Sequence, residues 1–395
     1  MLSFQTILPR TCSESVSARY ALLPRRRSRR GSATAFGIVM IGVMAVLLGL
    51  TIDLGYIHNS QAELTRTSDS AALAGAWALF DGRVAERSEA DLVREVTQSA
   101  DQFSQQNKVG NAAPRLSLTG NDVKLGFYDV STNTFIAESP LELNAVRVSV
   151  RREENTNGEV PLFFGMFSGR QSQSMASTST AALVNSIEGF YLPDEEGSSI
   201  EMLPFALDID TWTAVENGQA GDSLSWVNGQ VVRHSNGRHE CNLYPQGTGS
   251  PGNRGTVDIG SANNSTRDIS RQIVHGISRN DLLTLGGPLE FNEQDELYLN
   301  GDTGISAGVK DELQSIVGEK RVIPIFREVN GNGNNATYTI VKFAGVRILE
   351  VKLTGRMNQK RVIIEPAPVI ARHSKIRKTG TRMSSHVYTP VMLVE

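Results

Sequence analysis

Cysteine is nearly absent from this chain: 395 residues hold two, Cys12 and Cys241. On the topology derived below they lie on opposite sides of a membrane, which excludes an intramolecular disulfide and makes an inert buried thiol the default state of Cys241. A reactive thiol or an intermolecular bridge is the alternative there. Aromatic residues are few, at 6%. The apolar and charged fractions are nevertheless ordinary for a globular chain, so composition excludes disorder and little else. No internal repeat is present. Charge is missing altogether from Gly31 to Ile52, "GSATAFGIVMIGVMAVLLGLTI", 22 residues in which only Ser32, Thr34 and Thr51 are polar.

A run of about 20 apolar residues crosses the hydrocarbon core as a helix, because there every backbone polar group must be satisfied internally. The charge flanking it is lopsided. Residues 1–30 carry seven Arg against Glu14, a surplus of +6, and the remaining chain carries −9, which together give the net charge of −3. Arg25, Arg26, Arg27, Arg29 and Arg30 abut the apolar run and are the topogenic residues. By the positive-inside rule they hold residues 1–30 in the cytoplasm and send the rest across the membrane. A cleaved signal would have a shorter apolar core and a small-residue site beyond it, and "DLGYIH" at 53–58 offers none. "SRRGSA" lacks the residues that follow the Arg pair of a twin-arginine signal, and the position where a prepilin leader would place Glu is Phe36.

Beyond Ile52 the helical pattern continues with no Pro and no turn cluster. Ile57, Gln61, Leu64, Ser68, Ala71, Gly75 and Ala78 draw one seam at alternating spacings of four and three. Its small side chains permit close approach of another backbone, as Ala33/Gly37 and Ala45/Gly49 do within the span. Whether that backbone belongs to another chain or to this one's own body stays open. Residues 83–107 continue as a charged helix with Val84, Leu92, Val96 and Phe103 on its apolar face, ended by "VGNAAP". From Leu116 the period becomes two. "DVKLGFYDVSTNTFIA" reads as a hairpin turning near Ser131–Asn133, "NAVRVSVRRE" as a strand with Val146, Val148 and Val150 inward, and "SMASTSTAALV" as a further strand. "PLFFGMFSG" (161–169) is expected to be a short helix or loop covering that sheet.

A boundary near 186–197 precedes a mixed segment. "DSLSWVNGQVVR", "RVIPIFREV", "ATYTIVKFAGVRILEVKLT" and "KRVIIEPAPV" read as strands, with "GNGNN" (331–335) as a hairpin loop. "STRDISRQIVHGI", capped at Ser265/Thr266, and "SAGVKDELQSIVG" read as helices. The order is not strictly alternating, so the fold class is α+β: a long transmembrane helix continuing into the periplasm, then β-rich mixed exported domains. The expected division is 1–30 head, 31–80 membrane and seam helix, 81–186 first module, 187–395 second module.

"RRGSATAFGIVMIGVMAVLLGLTIDLGYIHNSQAELTRTSDSAALAGAWAL" resembles the N-terminal signature of the Flp pilus assembly TadE/TadG-like proteins. Arg29–Gly31 and the apolar helix are followed by Asp53-Leu54-Gly55 at its exit and by Asp69-x-Ala-Ala-Leu-Ala-Gly-Ala. The resemblance extends to "VPLFFGMFSG" and the Ser/Thr/Ala strand. It implies a single-pass inner-membrane component of tight-adherence pilus assembly with its body in the periplasm. Some members of the family carry a metal-binding Asp-x-Ser-x-Ser, a motif this chain lacks, so no cofactor and no metal are expected.

Other motifs are weaker. "GDSL" (221–224) matches a hydrolase nucleophile block, but no apolar strand precedes it and none of the six His has an Asp three residues before it. His234, His239 and Cys241 are zinc-type ligands that a hairpin could gather, without an evident fourth. Asp208 and Asp210 would share one strand face. Asp53, at bilayer depth, is either a site for a partner's cation or an exit marker with Tyr56 as its aromatic anchor, and a capping contact would use the same geometry. "RHSKIRKTGTR" (372–382) is a basic loop. The resulting expectation is a non-enzymatic protein whose assembly residues are Asp53, Gly55, Leu64, Ser68, Asp69, Ala71, Ala72 and Gly75. Its expected partners are the lipid bilayer, other pilus-assembly or pseudopilin-like membrane proteins and, among them, a second copy of itself, with no nucleic acid. The alternative is a membrane-tethered ligand-binding or GDSL-like hydrolase module in residues 190–395.

Overall fold

The computed structural model of the protein describes residues 30–395 other than 86, 118–120, 138–142, 195–196, 246–254, 261–264, 303–306, 332, 379–383 and 395. Cys12 and the topogenic Arg25, Arg26, Arg27 and Arg29 lie outside the described residues, as does the side chain of Arg30.

Helix α1, Arg30–Val84, is unbroken over 55 residues. At a rise of about 1.5 Å per residue it is roughly 80 Å long. Nothing in its sequence stops it: Pro is absent, and its glycines are single rather than paired. Helix α2, Glu89–Gln106, starts where the Ser88 side chain accepts the Asp91 N–H. It buries Leu92, Val96, Ala100 and Ser104. Phe103, expected on that face, is largely exposed, because it lies one position, about 100°, off the four-residue row from Leu92 to Ser104.

Strands β1 (Val123–Asp129), β2 (Thr134–Ala137), β3 (Ala145–Arg152) and β6 (Met175–Ala182) form an antiparallel sheet in the order β2-β1-β3-β6. The β1–β2 hairpin turns through Asn133 at φ +55°. Val146, Val148 and Val150 are fully buried, as their period-two spacing predicts. Two short strands, β4 (Val160–Pro161) and β5 (Ser172–Gln173), pair with each other and frame helix α3, Gly165–Ser168. That helix forms as expected but sits against α1 rather than over the sheet. The fifth strand of the sheet comes from the far end of the chain: Met392–Leu393 pairs antiparallel with Ala182 and Ala181 of β6.

The second sheet is organised around the strand Ala336–Lys352, which pairs with Lys320–Asn330, Leu297–Asp302 and Arg361–Pro366. Alternate residues enter two cores. Val322 and Phe326 join the cluster of Phe190, Met202 and Tyr338, whereas Ile323 and Ile325 join that of Trp212, Leu243 and Ile348. Both faces are therefore covered, by irregular segments on one side and short helices on the other. The helix Thr266–His275 starts at the expected Ser265 cap, and the 331–335 loop joins two antiparallel strands. The whole is α+β.

Candidate functional site

The start of α1 is long and apolar enough to cross a membrane, and almost none of it is covered by protein. Phe36, Ile38, Ile41 and Leu48 are all more than half exposed. Cover begins at Gly49. A Cβ there would stand 2.8 Å from Cγ of Phe164, so the missing side chain is what admits that ring. One turn further on, Asp53 is buried to 4% exposure. Its Oδ1 accepts hydrogen bonds from the backbone N–H of Phe163 (2.9 Å) and Phe164 (3.2 Å), and its Oδ2 accepts from Phe164 N–H at 3.0 Å. These donors lie immediately before α3, which has no side-chain cap of its own. Asp53 thus holds the residues that lead into α3, 110 positions away, and these hydrogen bonds satisfy a carboxylate that burial would otherwise penalise. Tyr56 packs edge-on against Phe163 at 5.0 Å between ring centroids. Gly55 faces open space.

Leu64, Ser68, Ala71 and Gly75 of the seam, with the neighbouring Ala72, are all buried, within a core shared with α2, β3 and β6. Ser68 Oγ lies 2.7 Å from Ser179 Oγ and 3.0 Å from Ser177 Oγ. Ser179 also donates to Asp69 Oδ1 at 2.5 Å. A Cβ on Gly75 would meet Val146 Cγ1 at 3.0 Å and Val96 Cγ1 at 3.5 Å. The close-approaching backbone is the chain's own sheet and its own second helix. Close packing by small residues serves burial here: α1 lies against β3 and β6 with hydroxyl pairs, rather than long side chains, between them.

Arg152, at the end of β3, was not singled out from the sequence. Its buried guanidinium donates to the carbonyls of Val109, Gly158 (2.7 Å) and Glu159 (3.1 Å) and so ties the loop at 109 to the loop at 158–159. Desolvation pulls its pKa below the ordinary Arg value. The period-two alternation did carry a signal for it: Arg152 has the same parity as the inward Val146, Val148 and Val150 and is buried with them.

The far end of α1 touches the second sheet. Phe80 lies under Lys320 Nζ at 5.7 Å, and Arg83 donates to the Tyr388 hydroxyl at 3.0 Å. A cleft of about 410 Å³ opens there, lined in part by Trp77, Phe80, Lys320 and Arg372. Burial, reinforced by the nearby Arg347 and Arg238, pushes the Lys320 ammonium down to about 8.

Residues 31–78 match the family model described as Flp pilus-assembly TadE/G-like, and residues 74–181 match a second model, described as Tad-like Flp pilus-assembly. Residues 31–181 belong to the TadE/G-like Flp pilus-assembly family. These two matches support a role in Flp pilus assembly. The two matches overlap at residues 74–78, the stretch of α1 that packs on Val146 and α2. No curated protein and no solved structure matches the chain.

Outside the Tad modules, Ser223 of the GDSL block donates from Oγ to Glu240 Oε1 at 2.5 Å, and its N–H also reaches that carboxylate, at 2.8 and 3.0 Å. The partner of the serine hydroxyl is thus a carboxylate acceptor, held by the antiparallel bridge between Gly221 and Glu240. His239 Nδ1 lies instead 2.9 Å from the Ala220 carbonyl. Cys241 begins a strand paired with Ile364, so 234–241 is not a hairpin. Among the described residues no three or more His, Cys, Asp or Glu gather in a metal-binding arrangement. Asp208 and Asp210 do not share a strand face: Asp208 caps helix α4 (Ile209–Glu216) by accepting from Thr211 N–H at 2.8 Å, and Asp210 lies in its first turn. Within the basic segment 372–382, whose residues 379–382 lie outside the described residues, Lys375 pairs with Glu188 and Glu290, and Arg377 with Asp295.

Proposed function

We propose that the protein is a non-enzymatic, membrane-anchored component of Flp pilus assembly. Residues 1–30 stay in the cytoplasm, the apolar start of α1 spans the inner membrane, and the body works in the periplasm by binding other pilus-assembly or pseudopilin-like membrane proteins or a second copy of itself. The observation that carries this reading is the continuity of α1. One helix runs from an uncovered apolar segment into the core of the Tad modules, so the anchor and the body form one stiff piece rather than two joined by a linker. Such a post holds the body at a set height and orientation over the bilayer. Leu64, Ser68, Ala71 and Gly75 of the seam, with the neighbouring Ala72, serve this role from inside, by joining post to body, and Asp53 and Asp69 fix its register. Contact with partners is left to the outward face of α1 and to residues 187–395.

The test is complementation of a strain lacking the gene. The full chain should restore sheared pilus protein. A version whose residues 1–52 are replaced by a cleavable export signal should be exported and folded and yet fail to restore it. Normal pilus output from that released body would refute the anchored reading.

A further inference from the structure

We propose that the turn carrying α3 is a second, non-spanning membrane anchor, which dips into the lipid leaflet from which α1 emerges. The proposal rests on reading the apolar start of α1 as membrane-spanning. Phe163, Met166 and Phe167 are 67%, 80% and 49% exposed, an apolar patch on a segment of only a few residues. The adjacent Ile52 and Leu54 of α1 are exposed as well. The position of the patch points to its occupant. Phe164 seats on Gly49, which lies inside the apolar run and four residues, about 6 Å, before Asp53 along the helix. The turn is therefore held level with the end of the lipid-facing surface, and its bare side chains continue that surface sideways.

Two features keep the turn there. Asp53 accepts the N–H groups of Phe163 and Phe164, so these two donors are satisfied where the turn meets the apolar boundary. Gly165 is needed as well, since a Cβ on it would lie 1.8 Å from the Arg170 carbonyl oxygen. The exposed Arg170 and Ser168 flank the patch. An apolar tip bounded by polar residues, with aromatic rings at the headgroup level, is the chemistry of interfacial insertion. A protein partner would have to reach the patch at lipid level, where α1 itself is bare. The occupant is thus the boundary between headgroups and acyl chains, and Asp53 is a positioning residue for it.

The experiment uses the full chain, with Cys12→Ser and Cys241→Ser, in vesicles of phosphatidylethanolamine and phosphatidylglycerol. A nitroxide is placed at Met166→Cys, with Val43→Cys as the mid-span control and Glu293→Cys as the aqueous one. The ratio of relaxation by oxygen to relaxation by a nickel chelate should be several-fold higher at Met166 than at Glu293 and lower than at Val43. Adding Asp53→Ala should bring the Met166 value down to that of Glu293. Phe163→Ser with Phe167→Ser, both at exposed positions, should do the same in a folded body. An aqueous Met166 label beside a deep Val43 label overturns the proposal while leaving the span intact. A Met166 label shielded from both relaxants means protein cover and also overturns it. An aqueous Val43 label overturns the span and the proposal together.

Discussion

Gly75 of α1 and Val146 of β3 lie so close that a Cβ on the glycine would stand 3.0 Å from the valine Cγ1. The helix that emerges from the apolar segment is therefore a core element of the Tad body, and its small-residue seam is used up within one chain.

Gly75→Leu should destabilise the body rather than selectively weaken association between chains. Four heavy atoms would have to displace Val146, Val96 and Ala100, and overpacking of this kind costs about 1–3 kcal/mol or more. Urea unfolding of the purified full chain in detergent should show a lower midpoint with an unchanged slope. An unchanged midpoint would mean that the seam is not packed as described.

Gly49→Leu should expel the Phe164 ring and leave the rest of the body folded, because the contact is confined to α3 and the end of the span. The readout is limited proteolysis: cleavage within 162–170 should speed up, with the other cleavage sites unaffected.

Ser223→Ala and Glu240→Ala should differ in cost. The alanine at 223 removes one hydrogen bond, about 1 kcal/mol, whereas loss of the Glu240 carboxylate strands the Ser223 N–H and its hydroxyl together, about 2–3 kcal/mol. A nucleophilic Ser223 would reverse the expectation for function, since pilus output would then fall with Ser223→Ala while stability held. Pilus output should stay at the wild-type level in that variant.

Lys320 should make stability rise with pH in the alkaline range. Its folded pKa of about 8 lies below the ordinary 10.5, so above about 8 the folded state binds fewer protons than the unfolded one. The penalty for burying the ammonium is fully present below about 8 and is relieved as pH climbs towards 10.5. Allowing for partial exposure, Lys320→Met should stabilise the body by about 1–2 kcal/mol at pH 7 and flatten the rise. Thermal melts from pH 7 to 10 on both proteins would read this out.

Much of the body was legible in the sequence because its signals are local. The alternation of Val146, Val148 and Val150, the turn at Asn133, the Ser265 cap and the strands around the 331–335 loop each depend on neighbours within a few residues. The misreadings have separate causes. Asp208 and Asp210 fit a strand by spacing but begin a helix, because a side-chain cap to Thr211 outweighs the weak propensity of a two-residue strand. Phe103 looked apolar enough to be buried, yet the four-residue row Leu92, Val96, Ala100, Ser104 took the inner face instead. The basic C-terminal segment read as a loop, and two of its cations, Lys375 and Arg377, find carboxylates on segments distant in sequence.

By itself the sequence determined that one helix would be long and apolar enough to cross a membrane and would continue past its apolar stretch, since 22 uncharged residues followed by a seam without Pro leave the backbone no reason to stop. It also determined that one side of that continuation would admit a close neighbour. Only the tertiary structure decided which neighbour. Side-chain spacing sets the shape of a face but not what covers it, and the partners of Asp53, Ser68 and Gly75 lie 70 or more residues further along the chain, at Phe163, Ser179 and Val146. Contacts at that separation are fixed by the combined packing of both sheets and α2, which no local pattern encodes.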